Sequence, residues 1–426
     1  MPEVSFDSIS GPEWLTNGVV VAATMAIFAV LMSPGMRRSR PWQATVTPLA
    51  SIIGSGFLVV APLLAHMVGH WALAAMLAIV ILAYAVGGVV RYNISHVEAI
   101  SDSEKDSSPG AATLRWLERI AKVLLALAYV IAITFYLELL AAFVLQLFDI
   151  QDRTLQKGIG TALVIFIGLY GYWRGLSSLE NLEKYSVNTK LAIIAGFLAG
   201  LAVVNAHHVI AGTWAMPRMD VTWDTNTLRK LLGAFLIVQG FETCRYMGNA
   251  YKKEERVVAM RHAQLIAGAI YFTFIALASI LFGSFGEVSE TGIIDLSAQV
   301  AVIVPFLLII GAATAQFSAA VADTLASGGL VEAATHGKFS HRHVYLVVML
   351  LSATLLWTGH IFTIIAYASR AFAAYYAVQC IMAAAHAAMA GSQRRSIARA
   401  AWFACLALVM LATAMFGIPA ETVDGG

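Results

Sequence analysis

Apolar runs of about twenty residues, long enough to cross a bilayer as helices, recur near 14–33, 43–66, 70–91, 116–148, 158–175, 185–206, 227–250, 258–284, 296–330, 343–359, 362–390 and 398–417. Lipid offers no hydrogen-bond partner to a backbone N–H or C=O, so each run is forced into a helix that satisfies both internally. Twelve runs predict an all-α polytopic membrane protein of about 12 transmembrane helices. Only 12% of the 426 residues are charged, against roughly 25% in soluble domains, which excludes a large soluble enzyme. Cys244, Cys380 and Cys405 fall inside apolar runs without metal-ligand spacing and read as small core residues.

The basic residues orient the chain. Nineteen Lys and Arg fall in one set of alternate loops, from Arg37, Arg38 and Arg40, through Arg91, Lys105, Arg115, Lys184 and Lys252, to Arg394, Arg395 and Arg399. The other set holds three, Arg153, Lys157 and Arg218. Such a bias marks the cytoplasmic side and predicts that both termini lie outside. Glu3, Asp7 and Glu13 stand where a cleavable signal peptide needs positive charge, so the first run is expected to be an anchor. The expected location is a plasma membrane of the bacterial inner-membrane type, with the lipid bilayer as partner. A net charge of +2 gives no reason to expect nucleic acid. Three polar stretches interrupt otherwise short connections: Glu98–Ser108, 207–226 and the acidic turn around Glu287–Glu290.

Two of the runs are interrupted. Residues 51–62 place Gly54, Gly56 and Pro62 inside one span, and Gln239-Gly240-Phe241-Glu242-Thr243-Cys244-Arg245-Tyr246 breaks a second. Breaks in corresponding spans point to the substrate site of a secondary transporter. Shifting Gly54-Ser55-Gly56 by 185 residues gives Gln239-Gly240-Phe241, and the same shift carries Glu138 onto Asp323. The helices starting at 43 and at 227 enter from opposite sides, as in an inverted repeat. The expected division is 1–42 for an extra helix and basic loop, 43–206 and 207–390 for the two five-helix repeats, and 391–426 for a last helix and tail.

At these residues the chain resembles the amino acid–polyamine–organocation (APC) superfamily, whose LeuT-type fold has five plus five inverted helices. The resemblance rests on Ile53-Gly54-Ser55-Gly56, Thr189-Lys190-Leu191 and Gly240-Phe241-Glu242, and covers roughly 43–390. It implies a LeuT-type core plus one extra N-terminal and one C-terminal helix. The chain departs from ordinary amino acid permeases in that extra helix, in its outside N-terminus, in the Glu242–Tyr246 run and in Arg370 of the tenth core helix.

The interrupted helices expose backbone donors at a positive dipole end, which suit a carboxylate. The resemblance implies that Gly54, Ser55 and Gly56 hold a substrate carboxylate, completed by Tyr136, with Tyr129 as the competing tyrosine. The bland alternative is close helix packing through small residues. Gly240 and Phe241 are expected to line the pocket, with Phe241 as an apolar lid. Glu242 and Arg245, three apart on one face, are either a structural or gating pair or direct substrate contacts.

Lys190 opens the fifth core helix. The resemblance implies an ammonium where sodium-coupled relatives bind an ion, and a buried lysine can also carry a proton; the alternative is a lysine snorkelling to the interface. Ser318, Asp323 and Thr324 supply hard oxygen donors that suit sodium, and Asp323 could instead pair with Lys190. Arg370 is expected to find Glu138 or Glu242, with Tyr375 and Tyr376 nearby. His66 and His70 read as solvated turn residues.

The chain contains no Walker loop, Gly-x-Ser-x-Gly elbow or His-Glu-x-x-His. The expected function is a secondary active transporter, not an enzyme, moving an amino acid or related amine by alternating access, coupled to protons or sodium and with no cofactor. Two alternatives stay open: a carrier of an inorganic cation such as potassium, and a non-transporting sensor scaffold, which a pocket filled by its own side chains would mark.

Overall fold

The computed structural model describes residues 13–101, 109–217, 219, 221, 223–248, 250–284, 291–389 and 393–419. Lys105, Arg218, the acidic turn around Glu287–Glu290 and the charges Glu3 and Asp7 lie outside the described residues, as do the side chains of Ser55 and Lys184. The described residues form sixteen α-helices joined by turns and short 3-10 segments, without a strand. In chain order they are α1 Glu13–Leu31, α2 Pro34–Arg38, α3 Arg40–Ile52, α4 Ser55–Val68, α5 Ala72–His96, α6 Glu98–Ser101, α7 Pro109–Gln146 and α8 Arg153–Arg174. They continue with α9 Ser177–Ile210, α10 Thr225–Gly233, α11 Lys253–Ala278, α12 Gly292–Ala298, α13 Val304–Ala334, α14 His341–Thr358, α15 Ile361–Met389 and α16 Arg394–Phe416.

Nine segments among the described residues are long and apolar enough to cross a membrane. One of them, Gly56–His96, is 41 residues long and takes in α5 and all of α4 but its first residue. Large apolar side chains such as Met25, Ile81, Phe166, Ile310, Leu350 and Leu408 are exposed on the outer faces of these helices. In a bilayer that exposure carries no hydration cost, because the surrounding tails are equally apolar.

The packing follows the expected two-fold relation. Helix α7 lies against α13 and α15, α13 also against α9, and α8 against α14. Exchanging third with eighth and fifth with tenth core helices converts the α7–α15 contact into the α13–α9 contact. The extra helix α1 packs on α9, and α16 packs on α15. The chain end returns to the second interrupted span: Ile418 N–H donates to the Arg229 carbonyl at 3.1 Å, and Arg229 Nε donates to the Phe416 carbonyl at 3.1 Å.

Both expected breaks are present, with different boundaries. The first falls at Ile53 and Gly54, whose backbones leave helical geometry, while Ser55 and Gly56 already belong to the first turn of α4. The second span is not one helix over 227–250. Helix α10 stops at Gly233, and 3-10 segments Phe235–Val238 and Phe241–Tyr246 flank Gln239 and a left-handed Gly240 (φ 117°). Local polar side chains explain the shortening. The Thr243 hydroxyl donates to the Gly240 carbonyl at 2.8 Å, and the Glu242 carboxylate accepts from Gly240 N–H at 2.9 Å. Such side chain–backbone bonds compete with the α-helical ladder.

Candidate functional site

The two breaks meet in the middle of the molecule. A Cβ on Gly56 would stand 2.5 Å from the Ile237 carbonyl oxygen, and one on Gly240 would stand 2.5 Å from the Ser51 carbonyl carbon. Only glycine admits so close a backbone approach. Tyr271 of α11 locks the contact: its buried hydroxyl lies 3.0 Å from the Ile52 carbonyl oxygen and 2.8 Å from that of Ile237. Both carbonyls are freed by the breaks, so one hydroxyl serves the ends of both interrupted spans.

Beside this joint lies a cavity of about 440 Å³ between α3, α7, α9, α13 and the segment Phe241–Tyr246. The room comes from α13, which turns Ala315, Ala319, Ala322, Ala326, Gly329 and Ala333 toward it. These positions alternate three and four apart and so share one helical face. The polar wall consists of Thr47, Ser51, Tyr129, Lys190, Thr243, Ser318 and Asp323. Lys122 and Met247 stand with Gly329 and Ala333 toward the end where α7 begins and α13 finishes. That end also carries the bidentate Arg40–Glu255 pair (2.5 and 3.1 Å) between the starts of α3 and α11.

Of the residues singled out from sequence, Lys190, Ser318 and Asp323 reach this cavity. Lys190 does not snorkel: it is 8% exposed and donates to the Ala50 carbonyl at 2.9 Å, in the last turn of α3. Ser318 Oγ lies 3.3 Å from Ser186 Oγ. Thr324 instead donates to the Ala320 carbonyl of its own helix at 2.7 Å. Gly54 borders only a void of about 20 Å³ shared with Lys190 and Gly311. Tyr129 is in the cavity wall, whereas Tyr136, also buried, is not among the residues that line it. Phe241 is fully buried and stacks on Tyr376 with ring centroids 5.0 Å apart. Glu138 faces a separate cavity of about 220 Å³ with Arg153, Lys157 and His360 in its walls.

Two expected pairings are corrected. Glu242 and Arg245 do not bond each other. Arg245 forms a 2.7 Å ion pair with Glu118 of α7. The Glu242 carboxylate, fully buried, accepts from Gly240 N–H (2.9 Å), the Tyr376 hydroxyl (2.5 Å) and the Tyr129 hydroxyl (3.5 Å). A six-residue 3-10 segment aims the two side chains at different neighbours, α7 for one and α15 for the other. Arg370 turns away from both Glu138 and Glu242, and its Nε donates to the Ala414 carbonyl at 2.7 Å near the end of α16. His66 and His70 are exposed, as expected.

Sequence reasoning missed Glu118, Tyr271, Ser51 and Thr47. Glu118 was visible as the acid amid Arg115, Arg119 and Lys122, a placement that reads as a loop charge. Tyr271 had no signal beyond being a hydroxyl inside an apolar run.

Paired helix breaks packed back to back, beside a cavity with a lysine, a carboxylate and hydroxyls in its wall, define a helical membrane transporter of the LeuT type. A family profile described as "APC superfamily transporter" matches residues 34–417, and the chain belongs to that superfamily. A relative from Aquifex aeolicus (strain VF5), named only as an uncharacterized protein, is 43% identical over 371 residues, covering 87% of this chain and 90% of its own length. Among solved structures, a substrate-bound, outward-open Na+-coupled sialic acid symporter aligns with a TM-score of 0.50 at 13% identity, over 96% of this chain and 99% of that one. The manganese transporter of Eremococcus coleocola, in complex with an aromatic bis-isothiourea compound, aligns with a TM-score of 0.57 at 12% identity, over 90% and 88% of the two chains. These structural likenesses show the fold.

Proposed function

We propose that this transporter is a secondary carrier of a small organic solute bearing an amine, an amino acid or a related compound, moved by alternating access and driven by the proton gradient. The observation that carries the reading is the Lys190 ammonium, 2.9 Å from the Ala50 carbonyl in the wall of the cavity that also holds Asp323. A cation on that carbonyl stabilises the end of an interrupted helix through its dipole. When the group is an ionisable side chain, gain and loss of its proton couple to the position of α3. Asp323, Ser318 and the Tyr129 hydroxyl supply the acceptors that an ammonium solute needs.

The nineteen-to-three distribution of Lys and Arg supports an inward-facing mouth, since Lys122 and the Arg40–Glu255 pair stand at the basic end. Both termini then lie outside, in a plasma membrane. The similar structures named for a sialic acid symporter and a manganese transporter have organic and inorganic cargo respectively, so the test includes ions. Purified protein in proteoliposomes is given amino acids, amines, potassium and manganese under separate proton and sodium gradients. We expect organic solute uptake that follows the proton gradient and is lost in Lys190→Ala. Uptake that follows sodium alone, or survives unchanged in Lys190→Ala, defeats proton coupling; accumulation of only the inorganic ions defeats the organic cargo.

A further inference from the structure

The smaller hollow, of about 220 Å³, plays no part in the transport reading. It lies where α7 finishes, α8 begins and α14 gives way to α15. Glu138 is sixteen residues along α7 from Lys122, roughly 24 Å at the helical rise, so this hollow lies toward the membrane face opposite the basic loops. Only three Lys and Arg are assigned to that face, and two of them, Arg153 and Lys157, stand in its wall.

The charges are ordered by depth. Arg153 and Thr154 are exposed in the first turn of α8, Lys157 is half-buried one turn further in, and Glu138 is 4% exposed at the floor. Gln156 and His360 complete the polar wall, the Gln156 amide donating to the Glu138 carbonyl at 3.4 Å. The mouth has donors to spare. Arg153 forms no ion pair among the described residues. Lys157 uses one of its three N–H groups, on the Gly359 carbonyl at 3.2 Å. Asp152 is turned away, its carboxylate accepting from the N–H groups of Thr154 and Leu155 at 2.8 and 3.1 Å.

Around the mouth the surface is apolar. Trp357, in the last turn of α14, is 53% exposed, and Leu350 and Val347, seven and ten residues earlier on the same face, are 61% and 52% exposed. Tryptophan at a helix end belongs to the headgroup level of a bilayer. Its indole N–H is turned to the Thr161 hydroxyl at 3.0 Å, which leaves the ring as an apolar rim.

We propose that this hollow holds the headgroup of an ethanolamine phospholipid. The phosphate meets Arg153, Lys157 and the Thr154 hydroxyl at the mouth, the ammonium reaches Glu138 at the floor, and the acyl chains run down the Trp357–Leu350–Val347 face of α14. An ionised carboxylate accepts about four hydrogen bonds, so Glu138 takes the ammonium alongside the contact it already has. Reading inward from the tails, the headgroup presents its anion first and its cation second, complementary to the order of charges in the wall. A choline headgroup has no N–H to donate to Glu138, and a glycerol headgroup brings no cation. The inference holds whichever solute the larger cavity carries.

Native mass spectrometry of the purified full-length chain reads the occupant directly. The chain is offered equal amounts of phosphatidylethanolamine, phosphatidylcholine and phosphatidylglycerol with identical acyl chains. We expect the ethanolamine lipid to be retained over either competitor by on the order of tenfold, and the doubly substituted Arg153→Ala, Lys157→Ala chain to lose that preference. Glu138→Gln should bring the ethanolamine and glycerol lipids to near parity. Should that buried variant not fold, Thr154→Glu, at an exposed position, puts an acid at the mouth and should release all three lipids. Soluble glycerophosphoethanolamine, which has the headgroup without the chains, should not displace the lipid at equal concentration. Equal retention of the three lipids, a preference that the variants leave unmoved, or displacement by the soluble headgroup overturns the inference and leaves the transport reading standing.

Discussion

Arg245 is among the most deeply buried charged side chains of the described residues. It is 4% exposed, within membrane-spanning packing, and its charge is met by Glu118 alone among the ion pairs it forms in the described residues. Removing one partner strands the other, at about 3–5 kcal/mol, whereas replacing both with apolar residues costs far less. Glu118→Leu and Arg245→Met are therefore each expected to lower the melting temperature in detergent sharply, and the double variant to recover most of it. Equal and additive losses would show that the two charges do not depend on each other. Tyr271→Phe is a milder case. It removes the one O–H proton that the Ile52 and Ile237 carbonyls share and should cost about 1–2 kcal/mol, read as a lower midpoint in thermal unfolding. At this scale the sequence was informative where a charge had to be buried. Lys190 and Asp323 stand out because ionisable groups inside apolar runs demand a function or a partner, and both line the cavity. It was uninformative about partners, since the residues that meet Arg245 and Arg370 are 127 and 44 positions away in the chain. Periodicity in one helix says nothing of what the next helix presents.

At the scale of elements, the helices were legible because twenty apolar residues in lipid have one solution. The exception is the span near 240. A hydrophobic run predicts a helix, and nothing in apolarity reveals that Thr243 and Glu242 will capture the backbone of Gly240. The shape of α13 was equally hidden: alanines are good helix formers anywhere, and only packing shows that six small residues face one hollow. Filling that hollow should abolish solute binding at little cost to stability. Ala322→Leu is the variant, with equilibrium binding and thermal unfolding as the paired readouts; unimpaired binding would place the solute elsewhere. The start of α10 carries a further prediction. Thr227 N–H and hydroxyl hold the Asp224 carboxyl below its usual range. A depressed carboxyl contributes stability above its unfolded-state pKa and loses it as pH falls through the lower folded value. The protection factor of the Thr227 amide, which is the factor by which its exchange is slower than in an unstructured peptide at the same pH, should accordingly be high near neutral pH and fall in acid, and in Asp224→Ala it should be low at both.

For the whole molecule, the orientation and the open end of the cavity make one joint prediction. A cysteine at Ala326, in a background with Cys244, Cys380 and Cys405 replaced, should react with a membrane-impermeant maleimide from the side of the basic loops and not from the other. Labelling from the opposite side would reverse the orientation. The offset of 185 residues that relates the two breaks also relates Glu138 to Asp323, and the structure places these acids in two different hollows. Symmetry of fold here does not extend to symmetry of the hollows, because the alanine stripe that lines the larger one has no counterpart in the wall of the smaller one.

The hydroxyl of Tyr271 touches the severed ends of both rods at once. One proton shared between two carbonyls ties the rods at a point: a tilt about it would keep the contact, whereas a lengthwise slide of one rod past the other would break it. If the two halves of this carrier alternate their openings, a joint shared in this way would favour rocking of the rods over sliding.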